Sequence, residues 1–385
     1  MSRASSPLPL SHGMHGDTVI PDWPTLTAEE IAHVLRHYPQ VGAIAHLVWH
    51  SPRPFSAGCI VTTTNMEVFV KRHHHAVRDA AGLIEEHAFM HHLRSRGIAV
   101  STVLTTIDAA TTVSDGQWTY EVHALAAGLD LYRDAPSWTP LRSTGHAYAA
   151  GRAMAQLHLG AQDFSAPARQ TRTLVTSFTI FSQTDPLPAL QRYIAHRPAL
   201  ADYLAQRNWL QDSTAVLLPW HARLRPYLDE LTPLWTHNDW HASNLLWSNA
   251  SDMAQVVTVL DFGLSDLTCA LHDLATAIER NMVEWLTRQD NRTVHLDLLD
   301  ALLDGYHAVL PLSPRQWLAL AALLPLVHVE FALAEVDYFH GITHSPQNAA
   351  LAYDGYFIGH AAWFNSAPGG ALLQHIKQRA QRKCA

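Results

Sequence analysis

Between residues 237 and 263 the chain places His237, Asp239, Asn244 and Asp261 in the order His-x-Asp-x-x-x-x-Asn, then Asp-Phe-Gly. Phosphoryl transfer from a nucleotide asks for few protein groups: a carboxylate to orient or deprotonate the attacking hydroxyl, and oxygen ligands to hold metal ions against the phosphates. Asp239 fits the first role, and Asn244 and Asp261 fit the second. Residues 245–247 and 256–260 read as two short apolar strands, with a turn-rich stretch at 248–252 between them. A hairpin there would set Asn244 beside Asp261, with Asp239 one loop-length away.

Such a site also needs a cation for the phosphates and elements to carry it. The only lysines are Lys71, Lys377 and Lys383. Lys71 closes the third of three strands at 41–49, 59–63 and 67–71, the last two forming a hairpin around Asn65 and Met66. A helix over 78–95, stopped by Gly97, carries Glu85 and Glu86, and either could reach back to Lys71. A compact ammonium fits between phosphate and carboxylate where a broad guanidinium does not. The plainer reading of Lys71 is a surface cation at a strand end.

The remaining elements follow from periodicity and caps. Thr27 with Glu30 is a capping-box pattern ahead of an apolar stripe at Ile31, Val34, Leu35 and Tyr38. Strands at 100–106 and 118–123 flank a polar turn at 114–116, and the small-residue segment 124–130 reads as a hinge with backbone free to bond a purine edge. Helical patterns cover 147–159, 174–205 and 209–231, then 272–288, 293–309, 313–339 and 348–364. The expected architecture is α+β: a loose arm at 1–24, a β-rich lobe at 25–123, the hinge at 124–130, and a larger α-helical lobe at 131–385.

Composition narrows the function classes. The formal charge is −8, with no long basic run, which argues against nucleic acid as a partner and is compatible with a cationic one. Three cysteines, Cys59, Cys269 and Cys384, suggest neither a disulfide framework nor a paired-cysteine metal motif. The first 24 residues lack an apolar core of signal-peptide length, and the apolar window at 317–336 is interrupted by Pro325, His328, Glu330 and Glu335. A buried helix, no membrane span and a cytoplasmic location are the expectations. The 27 histidines include runs at 73–75 and 91–92. Without partner cysteines or a repeated spacing, these read as solvated faces and not as metal storage.

From about residue 41 to 364 the chain resembles the aminoglycoside phosphotransferase and choline kinase family, the small-molecule branch of the protein-kinase-like fold. The resemblance rests on 237–244 and 261–273, with Leu157-His158 and Asp273-Leu274-Ala275 as further features. It implies a bilobal protein-kinase-like fold with ATP and magnesium (Mg2+) as cofactors. By position it implies Asp239 as catalytic base, Asn244 and Asp261 as magnesium ligands, and Lys71 with Glu86 as the phosphate-positioning pair. His237 would brace the catalytic loop, Asp273 would accept from that loop's backbone, and His241 would face the transferred phosphoryl group. The backbone of Ala124 and Ala126 would meet adenine.

The phosphate loop, Pro54-Phe55-Ser56-Ala57-Gly58, has one glycine in place of three, so Ser56 or backbone amides would cap the β-phosphate. No Ala-Pro-Glu segment follows Asp-Phe-Gly, which disfavours a Ser/Thr protein kinase. A small-molecule hydroxyl acceptor is expected against the C-terminal helices, where Glu279, Glu284, Glu330, Glu335, Asp337, Trp285 and Tyr338 would suit a cation. An aminoglycoside, an amino alcohol such as choline, a sugar or homoserine all fit. The same side chains would serve equally as solvated acids and core aromatics. A nucleotide-binding pseudokinase acting as a scaffold is the alternative from another class.

Overall fold

A computed structural model of the protein describes residues 11–12, 18–19, 21–287 and 292–381. Its N-terminal region runs β1 (Ser11–His12), β2 (Thr18–Val19), α1 (Ala28–Leu35), β3 (Ile44–His50), β4 (Ala57–Thr63), β5 (Glu67–His74), α2 (Ala80–Ser95), β6 (Thr102–Val103), β7 (Val113–Asp115) and β8 (Trp118–Ala124). Six strands form one sheet in the order β3-β4-β5-β8-β6, with β7 also on β8, and every pairing is antiparallel. Period-two alternation divides its faces. Val68, Val70, Tyr120 and Val122 pack on one side against Ile31, Val34 and Leu35 of α1. Phe69, Lys71, His73, Glu121 and His123 therefore fall on the other side, which faces a deep cleft.

Thr27 Oγ1 accepts from the Glu30 amide at 3.2 Å and Glu30 Oε2 accepts from the Thr27 amide at 3.4 Å, so the capping box forms and starts α1. Asp79 caps α2 through the Gly82 amide at 2.8 Å, and Gly97, at φ +78°, follows its end.

The second lobe is helical around two small hairpin-like ladders. Its elements are α3 (Thr144–Ala161), α4 (Pro186–Ala195), α5 (Pro198–Leu204), α6 (Trp209–Asp212), α7 (Leu218–Leu224), β9 (Pro233–Thr236), β10 (Leu245–Trp247), β11 (Val256–Val259), β12 (Asp266–Cys269) and α8 (Ala270–Met282). They continue with α9 (Leu296–His307), α10 (Pro314–Leu323), α11 (Val329–Gly341), α12 (Pro346–Ala350), α13 (His360–Trp363) and α14 (Ala367–Arg379). β10 pairs with β11 and β9 with β12, both antiparallel.

Several elements differ from the sequence expectation for identifiable reasons. The strand expected over 100–106 is confined to Thr102–Val103, because its start pairs with the other lobe: the Val259 amide donates to Ala99 O at 2.9 Å. Pro325 cannot donate an amide, and the helix expected over 313–339 breaks there into α10, a 3₁₀ turn at Leu324–Leu326 and α11. This 314–341 stretch is long and apolar enough to cross a membrane, yet 94% of its most apolar window is buried inside the fold. The pattern over 348–364 becomes α12, a wide π-type segment at Leu351–Gly359, and α13. α8 stops at Met282, where Val283 bridges to Val294, and the rest of the expected 272–288 helix is loop up to 287, with residue 288 outside the described residues.

Of the expected loose arm, residues 1–10, 13–17 and 20 lie outside the described residues, as does Cys384. Residues 22 and 23 are docked: Trp23 stacks on His74 with ring centroids 4.7 Å apart, and Asp22 bonds both Pro54 O and the Tyr338 hydroxyl.

The C-terminal core is closed by a tight crossing of α3 and α9. A Cβ on Gly151 would collide with Leu302 O, and one on Gly305 with Tyr148 O, so each glycine lets the partner backbone in. Gly151→Ala is expected to lower stability by roughly 1–3 kcal/mol through overpacking. Urea unfolding measures it, and an unchanged midpoint would show that the crossing has slack.

Candidate active site

The site is assembled around one buried carboxylate that touches none of the cavity. Asp273, in the first turn of α8, accepts from the His237 amide at 2.9 Å, the Asn238 amide at 2.8 Å and His158 Nε2 at 3.0 Å. Burial pushes its pKa up, but the His158 hydrogen bond and the facing groups outweigh that and hold it below the usual carboxylate range. His158 Nδ1 in turn faces the Tyr306 hydroxyl at 2.8 Å. His237 Nε2 donates to Leu260 O at 2.8 Å, so its Nδ1 is free to accept from the Asp239 amide at 3.2 Å. Asn281, two turns along α8 from Asp273, adds a brace: its Oδ1 accepts from the Ala242 amide at 3.1 Å and its Nδ2 donates to Trp240 O at 2.8 Å.

With its backbone fixed, the loop presents Asp239. Leu245 pairs with Val259, and the Leu260 amide donates to Asn244 O at 2.8 Å, so the hairpin sets Asn244 against the residue before Asp261. Asn244 Nδ2 donates to Asp239 O at 2.9 Å and to Asp239 Oδ2 at 3.1 Å. Asp261 has φ +54°, an uncommon conformation for a residue with a side chain, held by its carboxylate accepting from the Gly263 amide at 3.2 Å and from Lys71 Nζ at 2.9 Å.

Two carboxylates so near each other need opposing charge. Burial would raise both pKa values. For Asp239 the His241 ring and the Arg280 guanidinium, each 3.4 Å from a carboxylate oxygen, outweigh burial and hold it far below the usual range. For Asp261 the Lys71 ammonium does the same. His241 is itself pushed down by burial, against the pull of Asp239. Its Nδ1 accepts from Ser243 Oγ at 2.8 Å, and that hydroxyl receives Arg53 Nη2 at 2.6 Å. Arg53, Ser243, His241 and Asp239 thus form one chain from the loop between β3 and β4 to the loop at 237–244.

Lys71 does not pair with Glu86 as the sequence suggests. Its ammonium bonds Asp261, the nearer carboxylate, while Glu86 Oε2 lies 3.6 Å from Arg169 Nη2. Glu86 is nonetheless the inward member of the pair. It lines the cleft, whereas Glu85 turns out to accept from the Gln170 amide.

A cavity of about 510 Å³ between the lobes is lined by Lys71, Glu86, Ser56, Ala124, Ala126, Asp239, His241, Asn244 and Asp261 together. His237 and Asp273 lie behind it. At the hinge, Ala124 still pairs with Val68 as the last residue of β8, and the Leu125 amide donates to Glu67 O at 3.0 Å. The backbone of Ala126 makes no hydrogen bond among the described residues.

Of the seven side chains expected to meet an acceptor, Glu335 alone lines this cavity. Glu330 accepts from Ser177, Thr179 and Ile180 and anchors a loop; Asp337 accepts from the Leu200 amide; Glu284 pairs with His295. Tyr338 donates to Asp22, while Trp285 and Glu279 are buried behind the wall. Helical periodicity puts these groups on helices but cannot say which face turns to the core. Sequence reasoning missed Arg53, Trp138 and Arg280. The spacing from Asp273 to Arg280, two helical turns, would have put both on one side of α8. The Arg280 guanidinium lies 5.2 Å over Trp138 and 5.9 Å over Phe331, so these aromatic faces already carry a protein cation.

The profile of the phosphotransferase enzyme family matches residues 55–312. No curated protein sequence matches the chain. Among solved structures, a microcompartment-associated aminopropanol kinase superposes with a TM-score of 0.59 at 18% identity, covering 93% of this chain and 100% of its own. An aminoglycoside phosphotransferase from Alicyclobacillus acidocaldarius gives 0.50 at 15% identity, covering 93% and 97%. A thermostable mutant aminoglycoside phosphotransferase, in a ternary complex with AMP-PNP and hygromycin B, gives 0.52 at 13% identity, covering 90% and 98%. At these identities the likeness is one of fold.

Asp273→Ala would leave two backbone amides and His158 without their acceptor. A loss of about 3–5 kcal/mol is expected on removing one partner from a buried charged network, read by denaturant unfolding. Wild-type stability in that variant would show that the loop is held by something else.

Proposed function

The chain belongs to the phosphotransferase enzyme family, and from that premise we propose that it transfers the γ-phosphate of ATP, with magnesium, to a hydroxyl of a small polar molecule. The observation that carries this reading is the convergence of Asp239, Asn244, Asp261 and Lys71 on one interlobe cavity. Its size suits a nucleotide and a small acceptor.

Magnesium takes oxygen ligands, and the donors fit. Asn244 Oδ1 and Asp261 Oδ2 accept no hydrogen bond among the described residues, and both residues face the cavity. When bound, the ion offsets phosphate charge. Asp239, kept ionised beside Arg280 and His241, orients the acceptor hydroxyl and takes up its proton. In this reading Lys71 and Arg53 meet phosphate oxygens. In this reading the small-residue hinge around Ala126 offers backbone groups to a purine and Ser56 caps a phosphate; both residues line the cavity.

On the acceptor side, Glu335 is the carboxylate available to an amine. Burial pushes it up to about 8, and a bound ammonium would favour its ionised form. Solved relatives that carry aminopropanol kinase or aminoglycoside phosphotransferase names support screening amines first. A cytoplasmic setting, where ATP is abundant, belongs to the same proposal.

Asp239→Asn is expected to lower turnover by about 10²-fold or more while leaving nucleotide affinity nearly unchanged. Asp261→Ala is expected to abolish turnover and to weaken binding of magnesium-nucleotide, measured by calorimetry. A coupled ADP-release screen over aminoglycosides, amino alcohols, sugars and hydroxy-amino acids, with Asp239→Asn as the blank, identifies the acceptor class. Nucleotide binding with no ADP release above that blank in any class would favour a scaffold.

A further inference from the structure

Behind the cavity wall, α8, the start of α11 and α13 bring Glu279, His328 and His360 together. His360 Nδ1 lies 3.1 Å and His328 Nδ1 3.8 Å from Glu279 Oε1, and one ligand atom from each falls within 4.8 Å of the others. The residues are 1%, 6% and 3% exposed. Neither oxygen of Glu279, neither ring nitrogen of His360, nor Nε2 of His328 has a hydrogen-bond partner among the described residues. Interiors rarely leave such groups bare, because a buried carboxylate or imidazole loses its hydration with nothing in exchange.

We propose that Glu279, His328 and His360 form a binding site for a divalent transition-metal ion, with zinc the best match. Two imidazoles and one carboxylate converging on a point are a zinc donor set. With metal–ligand bonds of about 2.0–2.2 Å in tetrahedral geometry, ligand atoms sit roughly 3.3 Å apart, and 3.1 and 3.8 Å bracket that spacing. The surroundings hold the ligands in place. Trp285 stacks on His360 at 3.8 Å, and its Nε1 donates to Glu279 O at 2.9 Å. His328 Nε2 faces Glu335 Oε2 at 3.8 Å, the side on which a carboxylate orients a ligating imidazole.

Two cations stand nearby. The Arg280 Nε is 3.7 Å from Glu279 Oε2, on the oxygen away from the imidazoles, and Arg292 lies 4.7 Å over the Trp285 ring.

A second histidine cluster sharpens the choice. Around Glu121, His73 and His87 and His123 supply Nε2 at 2.9, 2.8 and 2.8 Å, so both carboxylate oxygens are already satisfied by the protein. Glu279 has no such donors. A metal there would tie α8, and with it Arg280, to α11 and α13. Its imidazoles set it apart from the oxygen donors at Asn244 and Asp261, which suit magnesium.

Untagged protein is purified in excess magnesium, its metal content is read by elemental mass spectrometry, and the chelator-stripped chain is titrated with Zn2+ and Co2+. Stoichiometric zinc and a tetrahedral cobalt absorption band are expected. Both should be lost in His360→Gln and, separately, in His328→Gln, with folding checked by circular dichroism, and kept in His87→Gln. Glu335→Gln is expected to weaken zinc affinity by about 10–100-fold. If His360→Gln does not fold, His328→Gln and Glu279→Gln carry the comparison. No uptake of either metal by folded wild-type protein, or uptake lost in His87→Gln and kept in His328→Gln, overturns the proposal. Metal content is read without turnover, so its failure leaves the phosphotransfer reading untouched.

Discussion

Asp239 and Asp261 are ionised carboxylates facing one cavity, and holding both there away from bulk water constrains much of the surrounding structure. Each charge needs a cation or donor brought from elsewhere in the chain. Lys71 comes from the sheet of the first lobe to Asp261, and Arg280 comes from α8 to Asp239. The counter-charges are thus drawn from both lobes. The cleft is where the two lobes meet electrostatically as well as sterically.

The same constraint explains how the lobes are joined beyond the hinge. The loop between β3 and β4 crosses the cleft: Arg53 bonds Ser243, and Phe55 packs edge-on against Tyr338 of α11 at 5.4 Å. Asp22 fastens the N-terminal segment to both sides, through Pro54 O and the Tyr338 hydroxyl. With one glycine where the protein-kinase pattern has three, this loop gains side-chain anchors where a glycine-rich loop relies on backbone approach. An apolar cluster of Val77, Leu174, Phe331 and Tyr338, with Phe55 and Trp23 against it, closes that end.

Asp273 illustrates why a residue outside the cavity can matter to it. Its carboxylate accepts two backbone amides of the loop at 237–244, and Asn281 two turns further along α8 holds a third. α8 is therefore the rigid element against which the loop is measured. Buried hydrogen bonds to an ionised acceptor are stronger than neutral ones, so the loop geometry is specified more tightly than a surface loop would be.

Much of this was legible in the sequence because the spacing is local. His237, Asp239 and Asn244 lie within one loop, and a hairpin of determinate length carries the chain to Asp261, so their meeting follows from strand and turn chemistry alone. Lys71 was recognisable by scarcity, although β5 runs on to His74 and sets it in mid-strand and not at the strand end the sequence suggests, and Thr27 with Glu30 by a cap whose geometry is fixed over four residues. What only the tertiary structure decided is which of two long-range partners wins and which helix face turns inward. Lys71 meets Asp261 and not Glu86 because the lobes set that carboxylate nearer. Glu279, Glu330 and Asp337 leave the acceptor side because their helices pack those faces into the core, whereas Arg53, Trp138 and Arg280 enter it from three separate elements. Local pattern fixes an element's period and its caps; the rotation of that element against distant ones is set by packing, which no window of sequence contains.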